Sequence, residues 1–234
     1  MGWRERCLHW LWPSICAHCK DDLPVSWSRA LCGSCESRLL PHEPPYCLRC
    51  CQPISPRDNL CSRCLAGPAH CAVIRACLAY RGPAVSLVHA FKYRGRRAAA
   101  REAGRLMARA WSRLPELGRP DALIPVPLHP SRLRQRGYNQ ALELALALGR
   151  ELRIPVQDLI IRTKNTRPQW NLLRKERKEN LKDAFAGPFK PVYGLKLVLI
   201  DDVCTSGASL EACAKILRQA EAHSVFGYVF AREI

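Results

Sequence analysis

Short apolar runs alternate with helix-like repeats through most of the chain after residue 71. Apolar runs are typical of buried strands, and apolar residues three or four positions apart are typical of helices. Strands are predicted at Ala72–Tyr80, Asp121–Pro127, Leu197–Ile200 and Val225–Phe230. Helices are predicted at Pro83–Phe91, Ala98–Leu114, Asn139–Leu152 and Gly207–Glu221. The alternation from Ala122 onward predicts an α/β domain, with a parallel sheet and helices on both faces.

Residues 16–64 show no such repeat and are rich in cysteine and proline. They contain four Cys-x-x-Cys pairs, made by Cys16, Cys19, Cys32, Cys35, Cys47, Cys50, Cys61 and Cys64. One pair places two thiolates on a metal ion, and a second pair completes a tetrahedral site. Because a segment of this composition cannot fold on an apolar core, metal binding must supply its stability. We therefore expect two structural Zn²⁺ ions in a small double zinc ribbon.

The assignment of these cysteine pairs to two sites stays open at this point. In the simplest arrangement, consecutive pairs share a site. The alternative is a crossed arrangement of the same residues. Cys51 is an alternative ligand to its neighbour Cys50. The nearby Cys7, His18, His42 and His70 are interpreted as bystanders. The regular spacing indicates a repeat and divides the chain into an N-terminal segment (1–15), the double zinc ribbon (16–64), a linker (65–71) and the α/β domain (72–234).

The 234 residues carry a formal charge of +17. Two Cys₄ zinc sites would lower this to about +13, since each contributes about −2. Such a surface favours polyanions, although a generally basic, solvated surface explains the charge equally well. No apolar run is long enough to span a membrane, and the start of the chain lacks the features of a signal peptide. The alternative for the start of the chain is a short amphipathic segment that touches a membrane surface. The chain has fourteen cysteines, and because most are spaced for metal binding, we expect the protein in a reducing cytoplasm.

Two acids and a small polar loop follow the run Leu197–Ile200. Asp201 and Asp202 end the strand, and residues 205–209 lead into the next helix. Hydroxyls, a glycine and a helix N-terminus favour a phosphate group, whereas paired carboxylates suit sugar hydroxyls or hydrated Mg²⁺. The combination predicts a ribose 5-phosphate site formed by Asp201, Asp202, Thr205, Ser206, Gly207, Ala208 and Ser209. Ordinary capping of the helix is the alternative explanation.

Two basic segments are further candidates for binding anions. The first contains Lys92 and Tyr93 in a predicted loop, which is either a lid over a reaction centre or an exposed connection. The second contains Arg132 and Arg136, and it follows the strand at Asp121–Pro127, where α/β proteins bind ligands. Arginine side chains suit phosphate oxygens because their planar donors match the phosphate group.

A mixed basic and aromatic segment begins at Arg162. A segment of this kind is typical of single-stranded nucleic-acid binding, with Trp170 stacking on a base. The candidate residues are Arg162, Lys164, Arg167, Trp170, Arg174 and Arg177.

The stretch Asp201–Ser209 resembles the phosphoribosyl diphosphate (PRPP) binding motif of type I phosphoribosyltransferases. Ser206 and Ser209 stand where that motif usually has threonine, and they keep the hydroxyl groups. The rest of the chain is similar to the ComF family of competence-related proteins, at the double zinc ribbon and at three further segments. These segments are Lys92–Gly95, Pro125–Gln140 and Thr166–Asn180.

This resemblance implies a type I phosphoribosyltransferase-like fold and the ligand PRPP, bound with Mg²⁺. It implies that Asp201 and Asp202 hold ribose hydroxyls and Mg²⁺, and that residues 205–209 hold the 5-phosphate. It places Lys92, Tyr93, Arg132 and Arg136 near the diphosphate. Proteins of the competence machinery are the implied partners.

Two functions follow as hypotheses. The chain is either a phosphoribosyltransferase with an unidentified acceptor, or a non-catalytic PRPP-fold protein that binds single-stranded DNA during DNA uptake or regulation. A purely structural zinc protein does not account for the stretch Asp201–Ser209. Transfer from PRPP depends on positioning and charge stabilisation, and no residue stands out as a general acid or base.

Overall fold

The computed structural model describes residues 15–24, 29–67, 69–93, 95–164 and 184–233. Its strands are β1 (Ile74–Ala79), β2 (Ala122–Pro125), β3 (Ile161–Arg162), β4 (Phe185–Ala186), β5 (Lys196–Cys204) and β6 (Ser224–Arg232). Its helices are α1 (Gly33–Glu36), α2 (Ser62–Leu65), α3 (Pro83–Tyr93), α4 (Arg97–Ala110), α5 (Pro130–Arg136), α6 (Gln140–Leu152) and α7 (Ala208–Gln219). The predicted N-terminal segment 1–15 lies outside the described residues, apart from Ile15. None of the helices in these ranges has the length and apolar content to cross a membrane.

The central sheet is parallel throughout, with the strand order β1-β6-β5-β2. β5 lies between β6 and β2, so that Leu197 is paired with Val225 on one side and with Ala122 on the other. The short strands β3 and β4 form a separate antiparallel pair. Because all four sheet strands run in the same direction, their carboxyl ends meet at one edge, where α/β proteins bind ligands. Asp201 and Asp202 lie at this edge, near the end of β5.

Helices cover both faces of the sheet, because successive side chains of a strand point to opposite faces. On one face, which we call the α4 face, Phe91 of α3 and Leu148 of α6 are buried in the same cluster as Ile200 of β5. On the other, which we call the α7 face, Leu210 of α7 is buried with Leu199 of β5. The predicted α/β fold class, a parallel sheet with helices on both faces preceded by a double zinc ribbon, is confirmed.

The two zinc ribbons pack against opposite faces of this sheet. Leu23 and Leu31 of the first ribbon (16–35) are buried in the same cluster as Phe91 on the α4 face. Cys47 and Cys51 of the second ribbon (47–64) are buried with Leu199 on the α7 face. The expectation that metal alone stabilises residues 16–64 is therefore wrong, since both ribbons also bury apolar surface against the domain that follows them.

Lys92 and Tyr93 lie in the last turn of α3, not in a loop as the sequence predicts. A cation at the C-terminus of a helix is favourable because the helix dipole is negative there. Lys92 also pairs with Asp202 at the sheet edge. This tertiary contact, which the local sequence does not reveal, accompanies the extension of the helix past Phe91.

Helix α5 has no counterpart among the predicted helices, although its capping residues are present in the sequence. Pro130 begins the helix, and the ring of His129 accepts a hydrogen bond from the Ser131 N–H at 3.2 Å. Gly137 ends it with a φ of +78°, a conformation that glycine adopts without strain. None of its residues is buried, so it lacks the apolar repeat on which the other helices are predicted.

Candidate sugar-phosphate site and zinc clusters

The eight paired cysteines form two clusters. Cys16, Cys19, Cys32 and Cys35 make the first, and Cys47, Cys50, Cys61 and Cys64 make the second. The sulfur atoms of each cluster lie within 4.8 Å of one another, as tetrahedral coordination of Zn²⁺ requires. The simplest pairing order is therefore confirmed, and Cys51 belongs to neither cluster although it is fully buried. None of the cysteines in the described ranges forms a disulfide.

In each cluster, the surroundings of one cysteine lower the pKa of its thiol. Burial alone would raise the pKa of Cys16, but hydrogen bonds from the backbone N–H groups of Cys32, His18 and Cys19 outweigh it and lower the pKa to about 6. Burial likewise opposes ionisation of Cys47, and backbone N–H donors lower its pKa to about 6. Because a thiolate is the form that binds metal, this environment fits the donor chemistry of two Cys₄ zinc-binding sites.

The two acids at the sheet edge have different surroundings. Asp202 Oδ1 lies 2.8 Å from Lys92 Nζ, and both side chains are largely buried. Asp201 interacts with its neighbour Asp202, with Lys92 and with Arg162 of β3. Burial raises the pKa of Asp201 to about 7, and the negative charge of Asp202 adds to the effect. The edge therefore holds a carboxylate paired with Lys92 beside one that takes up a proton near neutral pH.

The loop of residues 205–209 joins β5 to α7 in the predicted strand–loop–helix arrangement. Gly207 is the N-cap of α7 and has a φ of +75°, so any other residue would be strained there. A Cβ added to it would lie 3.4 Å from Ile74 Cδ1 and 3.6 Å from Cys204 Sγ. Ser206 Oγ accepts a hydrogen bond from the Ala208 N–H at 3.4 Å. The loop thus presents hydroxyls and backbone N–H groups at the start of a twelve-residue helix, which favours an anion.

The predicted diphosphate residues gather beside the two acids. The Arg136 guanidinium lies 5.6 Å from the centre of the Tyr93 ring. Burial lowers the pKa of Arg132, and the positive charge of Arg136 lowers it further. Burial would also lower the pKa of Lys92, but the Asp202 carboxylate outweighs this and raises it. The structure therefore brings Lys92, Tyr93, Arg132 and Arg136 together near Asp202, although two separate helices supply these residues.

The predicted nucleic-acid segment is described only in part. Lys164 is exposed, whereas Arg167, Trp170, Arg174 and Arg177 lie outside the described residues. Arg162, the first nucleic-acid candidate of this segment, is buried, with only 8% of it exposed. Its guanidinium lies 5.4 Å from the centre of the Phe185 ring, and it interacts with Arg132 and Asp201. Arg162 therefore belongs with the sugar-phosphate candidates.

Two arginines that no motif singles out also lie close to the loop, one beside Cys204 and one beside Gly207. Arg232, at the end of β6, is fully buried and donates hydrogen bonds to Cys204 Sγ and to Gln52 Oε1 of the second ribbon. Arg63 of α2 places Nη2 3.8 Å from the position that a Cβ on Gly207 would take. Arg232 could have been found from the sequence, because it follows an apolar strand at the end where ligands bind. No sequence signal points to Arg63.

Asp201→Asn is expected to stabilise the zinc-loaded, ligand-free protein above pH 7 by about 2 kcal/mol. The folded state keeps a proton on Asp201 up to a pKa of about 7, whereas its ordinary value is 3.8. The folded state therefore binds more protons than the unfolded chain between these values, and stability falls as pH rises through them. Urea unfolding of both proteins near pH 5 and pH 8 measures the difference, which should shrink at the lower pH. An equal gain at both pH values would contradict the assignment.

Comparisons with known proteins cover nearly the whole chain. A family model described as the double zinc ribbon domain matches residues 7–65. Competence protein F of Haemophilus influenzae is 32% identical over 223 residues, which cover 93% of this chain and 96% of that protein. The DNA utilization protein YhgH of Salmonella typhi is 31% identical over 230 residues, covering 95% of this chain and 98% of that protein. Competence protein ComFC of Bacillus subtilis is 33% identical over 113 residues, covering 47% and 44%.

Solved structures are similar at a lower level. Glutamine PRPP amidotransferase from B. subtilis, complexed with ADP and GMP, gives a TM-score of 0.40 at 15% identity, over 58% of this chain and 26% of that chain. Hypoxanthine phosphoribosyltransferase from Trypanosoma cruzi, complexed with the product IMP, gives a TM-score of 0.36 at 12% identity, over 58% and 74%. TM-scores of this size are too low to support a conclusion about function.

Proposed function

Because the chain belongs to the ComF family of competence proteins, we propose that the carboxyl edge of its sheet binds PRPP together with Mg²⁺. The observation that carries the proposal is the arrangement around Asp201 and Asp202. Two carboxylates directly precede a phosphate-type loop at residues 205–209, Lys92 pairs with Asp202, and Arg132 lies near Tyr93 and Arg136. PRPP has the matching order of groups: a 5-phosphate, two ribose hydroxyls and a diphosphate.

The acids at the edge fit a hydrated Mg²⁺, because oxygen ligands and retained waters are what this ion prefers. Asp201 titrates near neutral pH, so a nearby divalent cation would favour its ionised form. The ion would supply positive charge to the diphosphate. Asp202 and Asp201 would hold the ribose hydroxyls and the waters of the ion.

Transfer of phosphoribose to an acceptor is the activity that we propose for this site. An acceptor nucleophile forms a bond to C1 of the ribose while the bond from C1 to the diphosphate oxygen breaks, and the diphosphate leaves with the electron pair. Lys92, Arg132 and Arg136 would stabilise the negative charge that develops on the diphosphate. We assign no residue as the general base of this step and leave the acceptor unnamed.

Calorimetric titration of PRPP into the zinc-loaded protein, with and without Mg²⁺, tests the proposal. We expect binding that depends on Mg²⁺ and that is lost in the double variant Asp201→Asn/Asp202→Asn. Absence of binding at millimolar PRPP would refute it. Ribose 5-phosphate serves as a second titrant, since it carries the phosphate and hydroxyls without the diphosphate.

A second candidate function is binding of single-stranded DNA without transfer chemistry. Three observations favour it: the formal charge of +17, the exposed Lys164, and the exposed rings of Phe189 (62%) and Tyr193 (76%). Exposed aromatic rings near lysines suit stacking on bases. Two relatives carry the words DNA utilization and competence in their names. Proteins of the competence machinery would then be partners, in the reducing cytoplasm that free Cys₄ thiols require.

The salt dependence of binding to a single-stranded oligonucleotide tests this second function. Contacts with phosphates must weaken as salt rises, so affinity should fall severalfold between about 50 and 300 mM salt. Equal affinity at both concentrations would exclude binding through the basic surface. Unchanged oligonucleotide binding in the Asp201→Asn/Asp202→Asn variant would show that DNA and PRPP use separate sites.

A further inference from the structure

We propose that the second zinc ribbon is part of the sugar-phosphate site, with Arg63 as a positioning residue behind residues 205–209. Arg63 would add positive charge beneath the loop and thereby favour the 5-phosphate of a bound ribose phosphate. The inference rests on the proposed function, since it concerns how the same site recognises phosphate. The metal-binding ribbon would thereby contribute to a ligand site that lies in the α/β domain.

The first support is the approach of Arg63 to the loop. Its Nη2 lies 3.8 Å from the position of a Cβ on Gly207, and Cys204 Sγ lies 3.6 Å from the same position. Arg63 and Cys204 also interact electrostatically. The guanidinium therefore lies close to Gly207, on the side of the loop where Ile74 and Cys204 also lie.

The second support is the charge on either side of Arg63. Its guanidinium interacts with the thiols of Cys50, Cys64 and Cys61, which together with Zn²⁺ would form a cluster of about −2. A phosphate monoester carries about −1.5 to −2 at neutral pH. Without a cation between them, these two groups would repel each other across a poorly hydrated region. Arg63 occupies this intermediate position.

The third support is a buried cation beside Cys204, directly before the loop. Arg232 is fully buried and donates to Cys204 Sγ and to Gln52 Oε1. Its Nε has no hydrogen-bond partner within the described part of the chain. Arg232 thus places a second guanidinium group beside Cys204, the residue that precedes the loop, while Arg63 approaches Gly207. Both positive charges lie near the segment where we expect an anion.

The repeat itself supplies a contrast. The second ribbon has Cys61-Ser62-Arg63-Cys64, whereas the first has Cys32-Gly33-Ser34-Cys35. Ser34 therefore occupies the position of Arg63 in the ribbon that packs on the α4 face. The cation is present only in the ribbon that reaches the loop.

Titration of ribose 5-phosphate into zinc-loaded wild type, Arg63→Met and Arg63→Lys tests the inference. We expect about tenfold weaker binding in Arg63→Met, which corresponds to ~1.4 kcal/mol, and a loss of at most about threefold in Arg63→Lys, which keeps the charge. Arg57→Met is the matched control, because Arg57 is an exposed arginine of the same ribbon. Its affinity and zinc content should equal those of wild type.

The pH dependence separates an electrostatic role from a structural one. The second ionisation of a phosphate monoester occurs near pH 6, so the ratio of affinities between wild type and Arg63→Met should be larger near pH 7.5 than near pH 5.5. A ratio that stays constant would overturn the inference. If Arg63→Met loses zinc, Arg63→Gln and Arg63→Lys are compared instead, and equal affinities in these two would also overturn it.

Failure of the inference is distinguishable from failure of the proposed function. Wild type that binds neither PRPP nor ribose 5-phosphate would refute both. Equal affinities of wild type and zinc-loaded Arg63→Met for ribose 5-phosphate would refute only the role of Arg63. The proposed function would then still stand.

Discussion

Cys47→Ser is expected to release zinc from the second ribbon and to lower the free energy of unfolding by on the order of 5 kcal/mol. A serine hydroxyl is a poor zinc ligand, and three thiols cannot complete the tetrahedral site. Cys47 is fully buried, so the variant also leaves a polar group without its metal partner. Metal analysis and urea unfolding of the reduced protein measure the two effects, with one zinc per chain expected instead of two.

The loss should extend beyond the ribbon, because the second cluster is part of a shared core. Cys47, Cys50 and Cys64 are buried together with Leu199 of β5 and Leu210 of α7. Unfolding of the ribbon would expose this apolar surface to water. We therefore expect a change in the stability of the whole α/β domain, not a separate transition of a small domain.

Cys51→Ser provides the matched control for this prediction. Cys51 follows Cys50 directly and is fully buried, yet it lies outside both clusters. The variant should keep two zinc ions and should lose only the stability that a buried thiol contributes, about 1–2 kcal/mol. Loss of zinc from Cys51→Ser, with both ions retained in Cys47→Ser, would show that the ligand set is different.

The strand β5, the loop and helix α7 could be predicted because their signals are local. An apolar run, two acids and a glycine at the start of a helical repeat follow one another within the stretch Leu197–Leu210. The eight zinc ligands could likewise be predicted from the spacing of the Cys-x-x-Cys pairs, and the fold then established that consecutive pairs share a metal site. In both cases a short stretch of chain contains the whole pattern.

The surroundings of the acids could not be predicted in the same way. Arg162 was grouped with its basic neighbours as a nucleic-acid candidate, yet the fold buries it near Asp201. Arg63 approaches Gly207 across more than a hundred residues of sequence because both ribbons pack on the sheet. Contacts of this kind depend on which ribbon packs on which face of the sheet, and no local sequence pattern predicts that packing.

Lys92→Met and Asp202→Asn are each expected to weaken PRPP binding by at least about 100-fold, or ~2.7 kcal/mol. Both side chains are largely buried, with 19% and 12% of their surface exposed, and their charged atoms are 2.8 Å apart. Each single variant leaves the other charge without its partner in a dry environment. We therefore also expect each to lower the free energy of unfolding by about 3 kcal/mol.

The double variant Lys92→Met/Asp202→Asn separates these two effects. Removing both charges eliminates the unpaired group, so the double variant should be more stable than the sum of the single losses by about 1–3 kcal/mol. PRPP binding should stay as weak as in the single variants, since both groups are proposed to contact the ligand. Arg101→Met is the control, because the Arg101–Glu143 pair involves an arginine that is 56% exposed and should contribute less than about 1 kcal/mol. A double variant that regains both stability and PRPP affinity would mean that the pair only supports the fold, and the ligand-binding role of this edge would then fall to Asp201 and the loop alone.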